Sequence, residues 1–139
     1  MNIFERLKMN IKVISESKLR NKINFDGKEI FTDAPNPFGL GENLSPAEML
    51  AAAFASCAMT IMAIRVAKCG ENFVGCYTEV GKEVDMNDFR ITKIVLNFHL
   101  KSEFSPRARA VIKEAFDKQC IVGRSLNPSI EQEVKFIYE

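Results

Sequence analysis

The amino-acid sequence predicts an α+β fold, with mainly antiparallel strands around a long buried central helix and with a second helix. Residues 45–70 form a long apolar stretch that has a helix start signal and a helix stop signal. The segments on both sides of it alternate apolar and polar side chains in part, which is the pattern of strands. Residues 105–120 repeat the helix start signal and then place apolar side chains at helical spacing. Strands, helix, hairpin, helix and strand in this order are typical of α+β domains.

Length and composition limit the possible classes of protein. The chain has 139 residues, enough for one sizeable core, so we expect a single domain over residues 1–139. Apolar residues make up 47% and charged residues 27%, which indicates a globular protein. The net charge of +1 gives no reason to expect nucleic acid or an anionic membrane as a partner. The first residues lack the apolar segment of a secretory signal, so we expect a cytoplasmic protein.

The segment before the long helix is predicted to hold three strands and a loop. Asp26-Gly27 is a strong signal for a two-residue turn between two of these strands. Arg20 would then lie near the start of the middle strand. The predicted strands cover residues 10–16, 19–25 and 28–32, and a loop rich in Pro, Gly and Asn covers residues 32–46.

The long helix has recognisable ends, and it has more apolar faces than one chain of this length can cover. Ser45 can act as the N-cap, Pro46 suits the first helical position, and Glu48 completes a capping box with Ser45. Gly70 is a good left-handed C-cap. Apolar side chains lie on nearly every side, which indicates a buried helix. A chain of this size covers such a helix incompletely, so we expect a second copy of the chain to cover the remainder.

A membrane span is the alternative interpretation of this stretch. Its uninterrupted apolar part covers only residues 49–64, and it includes Ser56 and Thr60. A spanning helix needs about 20 strongly apolar residues. We therefore expect a core helix and no membrane partner.

The remainder of the chain is predicted to continue as a hairpin, a helix and a strand. Residues 73–85 and 89–101 form a long antiparallel hairpin in this prediction, with an irregularity near Thr92 and Lys93. Ser105-Pro106 begins the second helix, which ends near Cys120. A short helical or irregular piece follows over residues 121–126, and a final strand covers residues 129–138.

The four cysteines are Cys57, Cys69, Cys76 and Cys120. None has CxxC spacing and the only histidine is His99, so we expect neither a metal nor a cofactor. Each cysteine can be a small apolar core residue. Alternatively, Cys57 and Cys120 form a redox pair, which requires a lowered thiolate pKa and Cα atoms within about 7 Å. The residues alone leave both interpretations open.

Two motifs resemble those of the OsmC/Ohr family, the osmotically inducible and organic hydroperoxide resistance proteins. The run NLSPAEMLAAAFASCAMT matches a loop ending in Ser/Asn-Pro, a helix start with a glutamate, an Ala-rich turn and a cysteine. The run CIVGRSLNPSIEQEVKF matches a second motif, in which a cysteine is usually followed by Pro-Val and then Ser-Leu. The order of elements also matches along nearly the whole chain.

The resemblance implies a thiol-dependent peroxidase built as an intertwined homodimer. Cys57 would attack the O–O bond of an organic hydroperoxide or of hydrogen peroxide, and Cys120 would form the resolving disulfide. Arg20 would stabilise the thiolate and Glu48 would orient Arg20. A small dithiol or a lipoylated protein would reduce the disulfide, with no cofactor and no nucleic acid or membrane partner.

The sequence departs from the family pattern at two positions. The glutamate stands one place later than in the organic hydroperoxide branch, at Glu48, and a helical step of about 100° turns its side chain away. Ile121 replaces the usual proline after Cys120. Both departures favour the broader OsmC-like branch. The thiolate's cation could also be Lys22, Arg65 or Arg124.

Three apolar side chains are candidates for a substrate pocket. Phe38 lies in the long loop, while Phe54 and Ile61 lie one helical turn before and after Cys57. Core packing is the alternative role for Phe54 and Ile61. We expect Cys69 and Cys76 to be packing residues. His99 is expected at the surface or at a sheet edge. Two other functions remain open, a non-catalytic dimer that binds a small apolar ligand and a redox sensor.

Overall fold

A computed structural model describes residues 7–139. The chain divides into two compact units, unit 1 (Met1–Met49) and unit 2 (Leu50–Glu139). The prediction of mixed helices and strands is confirmed, since each unit contains one three-stranded sheet and the described chain contains two long helices.

Unit 1 contains an antiparallel sheet of three strands in the order β1-β2-β3. The predicted Asp26-Gly27 turn is confirmed, because both residues have positive φ, 49° and 75°, as a tight hairpin turn requires. One face of the sheet is apolar and largely exposed. Its strands are β1 (Ile11–Glu16), β2 (Arg20–Phe25) and β3 (Lys28–Asp33), and its apolar face carries Ile11, Val13, Ile23, Phe25 and Ile30.

The first helix, α1 (Pro46–Lys68), begins with the predicted capping box. The backbone N–H of Ser45 donates to Glu48 Oε1 at 2.9 Å, and the N–H of Glu48 donates to Ser45 Oγ at 3.2 Å. These two bonds satisfy backbone donors that a helix N-terminus otherwise leaves without partners. The cap therefore fixes the point at which the loop becomes a helix.

Unit 2 contains a second sheet in the order β4-β5-β6, with β4 and β5 antiparallel and β5 and β6 parallel. The predicted irregularity is confirmed, because Lys93 pairs with Glu83 and Ile91 with Val84, which leaves Thr92 unpaired as a bulge. The strands are β4 (Tyr77–Asp85), β5 (Arg90–Leu100) and β6 (Glu131–Tyr138), and the helices are α2 (Pro106–Gln119) and α3 (Ile121–Ser125).

The core of unit 2 lies where α1 and α2 pack on β5. Alternate residues of β5 point into it, as the sequence pattern predicted. A single stripe of α1 and the inner face of α2 complete it. The residues with at most 5% exposure in these three elements are Ala51, Phe54, Ala55, Ala58, Met62, Val66, Ile94, Leu96, Phe98, Leu100, Ala108, Ile112 and Ala115.

The predicted start of β4 is wrong. The predicted strand over residues 73–85 begins only at Tyr77, because the preceding residues form a turn in which the N–H of Cys76 donates to the carbonyl of Phe73. As expected for a chain of this size, the helix α1 is not buried on every side, since Ile64 is 46% exposed and only one stripe enters the core. Its length and composition alone would also allow it to cross a membrane, but the buried stripe is that of a core helix.

Candidate functional site

Cys57 and Cys120 lie together in unit 2. Cys57 is half-buried near the middle of α1 and packs against the core, whereas Cys120 is only 1% exposed. Cys120 ends α2 and begins α3, so the change of chain direction between these helices places its side chain in the core. The two thiols are free, belong to the same core cluster, and lie close enough for Cys57 to raise the pKa of Cys120.

The surroundings of Cys120 keep its thiol protonated at neutral pH. Burial raises its pKa to about 11, because the charged thiolate loses solvation in the core. The neighbouring Cys57 adds to this rise. The backbone amides of Gly123 and Val122, at the start of α3, favour the thiolate and offset part of it.

Arg20, the predicted cation, is held by two carboxylates of unit 1. Its Nε lies 2.7 Å from Asp33 Oδ1 and its Nη2 lies 3.0 Å from Asp33 Oδ2, which is a bidentate pair. The same Nη2 lies 3.1 Å from Glu42 Oε1. Hydrogen bonding to Asp33 is the main reason that the pKa of Arg20 rises above its ordinary value. The guanidinium therefore has a fixed charge and a fixed orientation.

Asp33 is a buried carboxylate that accepts several hydrogen bonds, and the sequence analysis did not identify it. Besides Arg20, its Oδ2 accepts the backbone N–H groups of Glu42 and Asn43 at 3.0 and 2.9 Å, and the Asn43 side-chain amide at 3.1 Å. The bond from Arg20 and these loop donors hold the pKa of Asp33 well below its usual range. Asp33 thus joins the predicted arginine to the long loop that leads into α1.

The other candidate charges have partners of their own. Glu48 lies in the capping box of α1, and its role in orienting Arg20 stays a prediction. Lys22 lies 3.7 Å from Glu29 in unit 1. In unit 2, Arg65 Nη1 donates to Gln119 Oε1 at 2.5 Å, and Arg124 donates to a backbone carbonyl. The structure thus gives Arg65 and Arg124 bonding partners other than the two thiols.

The three candidate pocket residues lie in different surroundings. Phe38 is 77% exposed on the loop of unit 1. Ile61 is half-buried against the core of unit 2. Phe54 is fully buried and stacks on Phe116 with ring centroids 5.9 Å apart, which is the core-packing alternative. Their contact with a substrate stays a prediction.

A groove of about 530 Å³ lies on the exposed side of α1, beside β4. The sequence-based reasoning did not identify it. Small residues on α1 form its floor, and the hydroxyl of Thr78 lies 2.9 Å from the sulfur of Met59 at one wall. The lining residues are Ala52, Ala55, Ser56, Met59, Thr60, Ala63, Phe73, Thr78 and Val80.

His99 is held between two glutamates and beneath a tyrosine. Its Nδ1 lies 2.6 Å from Glu139 Oε1 and its Nε2 lies 2.5 Å from Glu79 Oε1, while Tyr77 stacks on the ring. Hydrogen bonding to Glu139 is the main reason that the pKa of His99 is raised. The side chain joins β4, β5 and the end of the chain. Among residues 7–139, no group of three or more Cys, His, Asp or Glu side chains could hold a metal ion.

Comparison with known proteins assigns the fold and the family. The structure superposes on a protein of Psychrobacter arcticus, named for osmotic stress induction and a detoxification response, with a TM-score of 0.85 and 27% identity over 97% of this chain and 99% of that chain. An OsmC-like protein of Mycoplasma pneumoniae superposes with a TM-score of 0.77 and 15% identity, over 97% of this chain and 98% of that chain. The organic hydroperoxide resistance protein OhrB of Bacillus subtilis superposes with a TM-score of 0.65 and 16% identity, over 91% of this chain and 96% of that chain. This likeness is one of fold.

The sequence itself provides the remaining evidence. No curated protein matches it. The family model of OsmC-like proteins matches residues 39–135, which include Cys57 and Cys120. The chain therefore belongs to the OsmC-like protein family.

Proposed function

We propose that the protein is a thiol-dependent peroxidase that acts in oxidative-stress defence and reduces small organic hydroperoxides or hydrogen peroxide. The observation that carries the proposal is the proximity of Cys57 and Cys120, two thiols that lie 63 positions apart in the sequence and belong to the same core cluster of unit 2. Membership of the OsmC-like family, whose fold organic hydroperoxide resistance proteins share, supports it.

The proposed reaction has two steps on the protein. The Cys57 thiolate attacks the terminal oxygen of the hydroperoxide, the O–O bond breaks, and the alkoxide leaves as the alcohol after protonation. This oxidises Cys57 to a sulfenic acid. The Cys120 sulfur then attacks the Cys57 sulfur, the S–O bond breaks, and water leaves. A small dithiol or a lipoylated protein then reduces the disulfide and becomes oxidised itself.

The proposal gives each cysteine a different chemical requirement. Cys57 is partly exposed, so a small peroxide can reach it, whereas Cys120 is buried in the core. This difference matches an attacking thiol and a resolving thiol. Arg20 is assigned the stabilisation of the Cys57 thiolate and Glu48 the orientation of Arg20, as the family resemblance implies.

Steady-state turnover tests the proposal. Reduced protein is mixed with an organic hydroperoxide and excess dithiothreitol, and peroxide loss is followed. We expect no turnover for Cys57→Ser. Cys120→Ser should react once and then depend on direct reduction of the sulfenic acid, and Cys69→Ser is the matched control that should keep wild-type activity. Equal activity of Cys57→Ser and wild type would refute the assignment.

We further propose that the protein is a cytoplasmic homodimer. The apolar face of the unit 1 sheet and the groove on α1 are both exposed in one chain, and Val13 and Ile30 are 61% and 54% exposed. Exposed apolar faces of this extent are typical of interfaces between protein chains. Sedimentation equilibrium should give twice the mass of one chain, and a monomer at micromolar concentration would contradict the proposal.

A non-catalytic binding module is the second candidate function. The groove on α1, about 530 Å³ and lined mainly by apolar and small side chains, favours it, because apolar grooves of this size accommodate small ligands. Turnover separates the two candidates. A protein with inert Cys57 that retains an apolar dye in the groove would be a binding module rather than a peroxidase.

A further inference from the structure

The helices that carry the two cysteines make a very close contact at Gly123. Gly123 is the third residue of α3 and stands three positions after Cys120, while Phe54 stands three positions before Cys57 on α1. A Cβ placed on Gly123 would lie 2.5 Å from Cε1 of the Phe54 ring and 2.9 Å from Cζ. These distances are shorter than any carbon–carbon contact of ordinary packing. The backbone of α3 therefore lies directly on the ring.

The Phe54 ring has no room to move away from a larger residue. It is 0% exposed and stacks on Phe116. Phe116 in turn contacts the rings of Phe98 and Phe136 at 5.8 and 6.0 Å, in edge-to-face arrangements. Protein cores are close-packed, so a displaced ring would disturb the whole aromatic cluster. A side chain at Gly123 would therefore displace α3 rather than the ring.

A displacement of α3 would carry Cys120 with it. The N–H of Arg124 donates to the carbonyl of Cys120 at 3.0 Å, and this bond closes the helical turn that contains Gly123. The side chain of Gln132 donates to the Gly123 carbonyl at 3.1 Å and holds the other side of this turn. Cys120 and Gly123 thus belong to one short rigid segment, and the approach of Gly123 to Phe54 sets the position of the thiol.

We propose that Gly123 is a positioning residue that sets the distance between the two thiols for disulfide formation, because its missing side chain lets α3 lie on the Phe54 ring. The inference rests on the proposed function, in which the sulfenic acid of Cys57 and the thiol of Cys120 form a disulfide and release one water. Disulfide geometry tolerates little error, since the two Cβ atoms must lie about 3.5–4.5 Å apart.

The test measures disulfide formation without peroxide. Wild type and Gly123→Ala are equilibrated with mixtures of reduced and oxidised dithiothreitol, and the Cys57–Cys120 disulfide is quantified by mass mapping after alkylation. We expect the equilibrium constant of Gly123→Ala to fall about tenfold or more, because a disulfide held away from its preferred geometry is strained and more easily reduced. Helix propensity alone predicts no such loss, because alanine favours a helix over glycine.

Gly81→Ala is the matched control. Gly81 lies in β4, where an added Cβ would meet only the Cβ of Val95, at an ordinary 3.8 Å. Its equilibrium constant should stay within about twofold of wild type. An unchanged constant in folded Gly123→Ala, with a wild-type circular dichroism spectrum, would overturn the proposal.

A double-mutant cycle keeps the proposal testable if Gly123→Ala folds poorly. In the background of Phe54→Leu, which removes the ring that blocks a Cβ, Gly123→Ala should lower the equilibrium constant of disulfide formation by less than about threefold. The same large loss in both backgrounds would overturn the proposal. Failure of the proposed peroxidase would show as absent turnover in wild type, whereas this equilibrium reports the thiol geometry independently.

Discussion

The burial of Cys120 predicts an unusual pH dependence for the resolving step. The attacking species is the thiolate, and burial raises the pKa of Cys120 to about 11 from an ordinary value of 9.0. A raised pKa keeps the thiol protonated, so the thiolate fraction grows tenfold per pH unit until the pH approaches the pKa. The rate of disulfide formation should follow this fraction.

The raised and the ordinary pKa of the Cys120 thiol are best distinguished by measurements between pH 9 and pH 10.5. With a pKa of about 11, the thiolate fraction rises from about 1% to about 25% over this interval, about twentyfold. With the ordinary value of 9.0 it rises only from about half to nearly all, about twofold. The sulfenic acid on Cys57 is uncharged, so burial remains the dominant cause during this step.

Rapid acid quenching provides the assay. One equivalent of hydroperoxide oxidises the reduced protein at each pH, and the quenched samples are alkylated and mapped by mass spectrometry, since the chain has no tryptophan to report by fluorescence. The control is Cys120→Ser with an added small thiol of ordinary pKa, whose reaction should level off near pH 9. A wild-type rate that also levels off by pH 9 would refute the link between burial and reactivity.

Three further predictions concern stability. Asp33→Asn should lower the melting temperature most at pH 7 and progressively less below pH 4, because the pKa of Asp33 is lowered in the folded chain and its contribution disappears as the carboxylate is protonated. Ser105→Ala should cost about 1–2 kcal/mol in urea unfolding, since Ser105 Oγ caps α2 by accepting from Ala108 and donates to Glu71. Between pH 9 and pH 11 wild type should lose about 2 kcal/mol more than Cys120→Ser, because the raised pKa of Cys120 stabilises the fold only while the thiol is protonated. The absence of either pH trend would contradict the corresponding role of Asp33 or Cys120. An unchanged free energy of unfolding in Ser105→Ala would contradict the role of Ser105 as a cap.

Local chemistry made much of the fold predictable. The Asp26-Gly27 turn, the capping box of Ser45 and the alternation along β5 each depend on residues adjacent in the sequence, and each is confirmed. The start of β4 was placed too early because Phe73 has the apolar character of a strand residue, while its real role is to pack in the core against Phe104.

The candidate site was predictable in part. The cysteine motifs identified Cys57 and Cys120, but their contact depends on how α3 packs on α1, which periodicity does not describe. Asp33 was missed although a signal exists. A two-residue turn at Asp26-Gly27 pairs Arg20 with Asp33 across the hairpin, so counting the register would have placed the carboxylate opposite the arginine.

The incomplete burial of α1 in one chain was predictable from its apolar pattern and the length of the chain. A helix that is apolar on every side indicates that every side is covered, and the sequence pattern does not say by which chain. In one chain only a stripe enters the core, and the face next to this stripe forms the floor of the groove. The composition of α1 is therefore consistent with the proposed homodimer.

The pairing of Cys57 with Cys120 is tested most directly by a single turnover. Fully reduced protein receives one equivalent of an organic hydroperoxide, and all four cysteines are mapped by mass after alkylation. We expect rapid formation of one disulfide, between Cys57 and Cys120, with Cys69 and Cys76 still reduced. Unreactive thiols, or oxidation spread over Cys69 and Cys76, would contradict it.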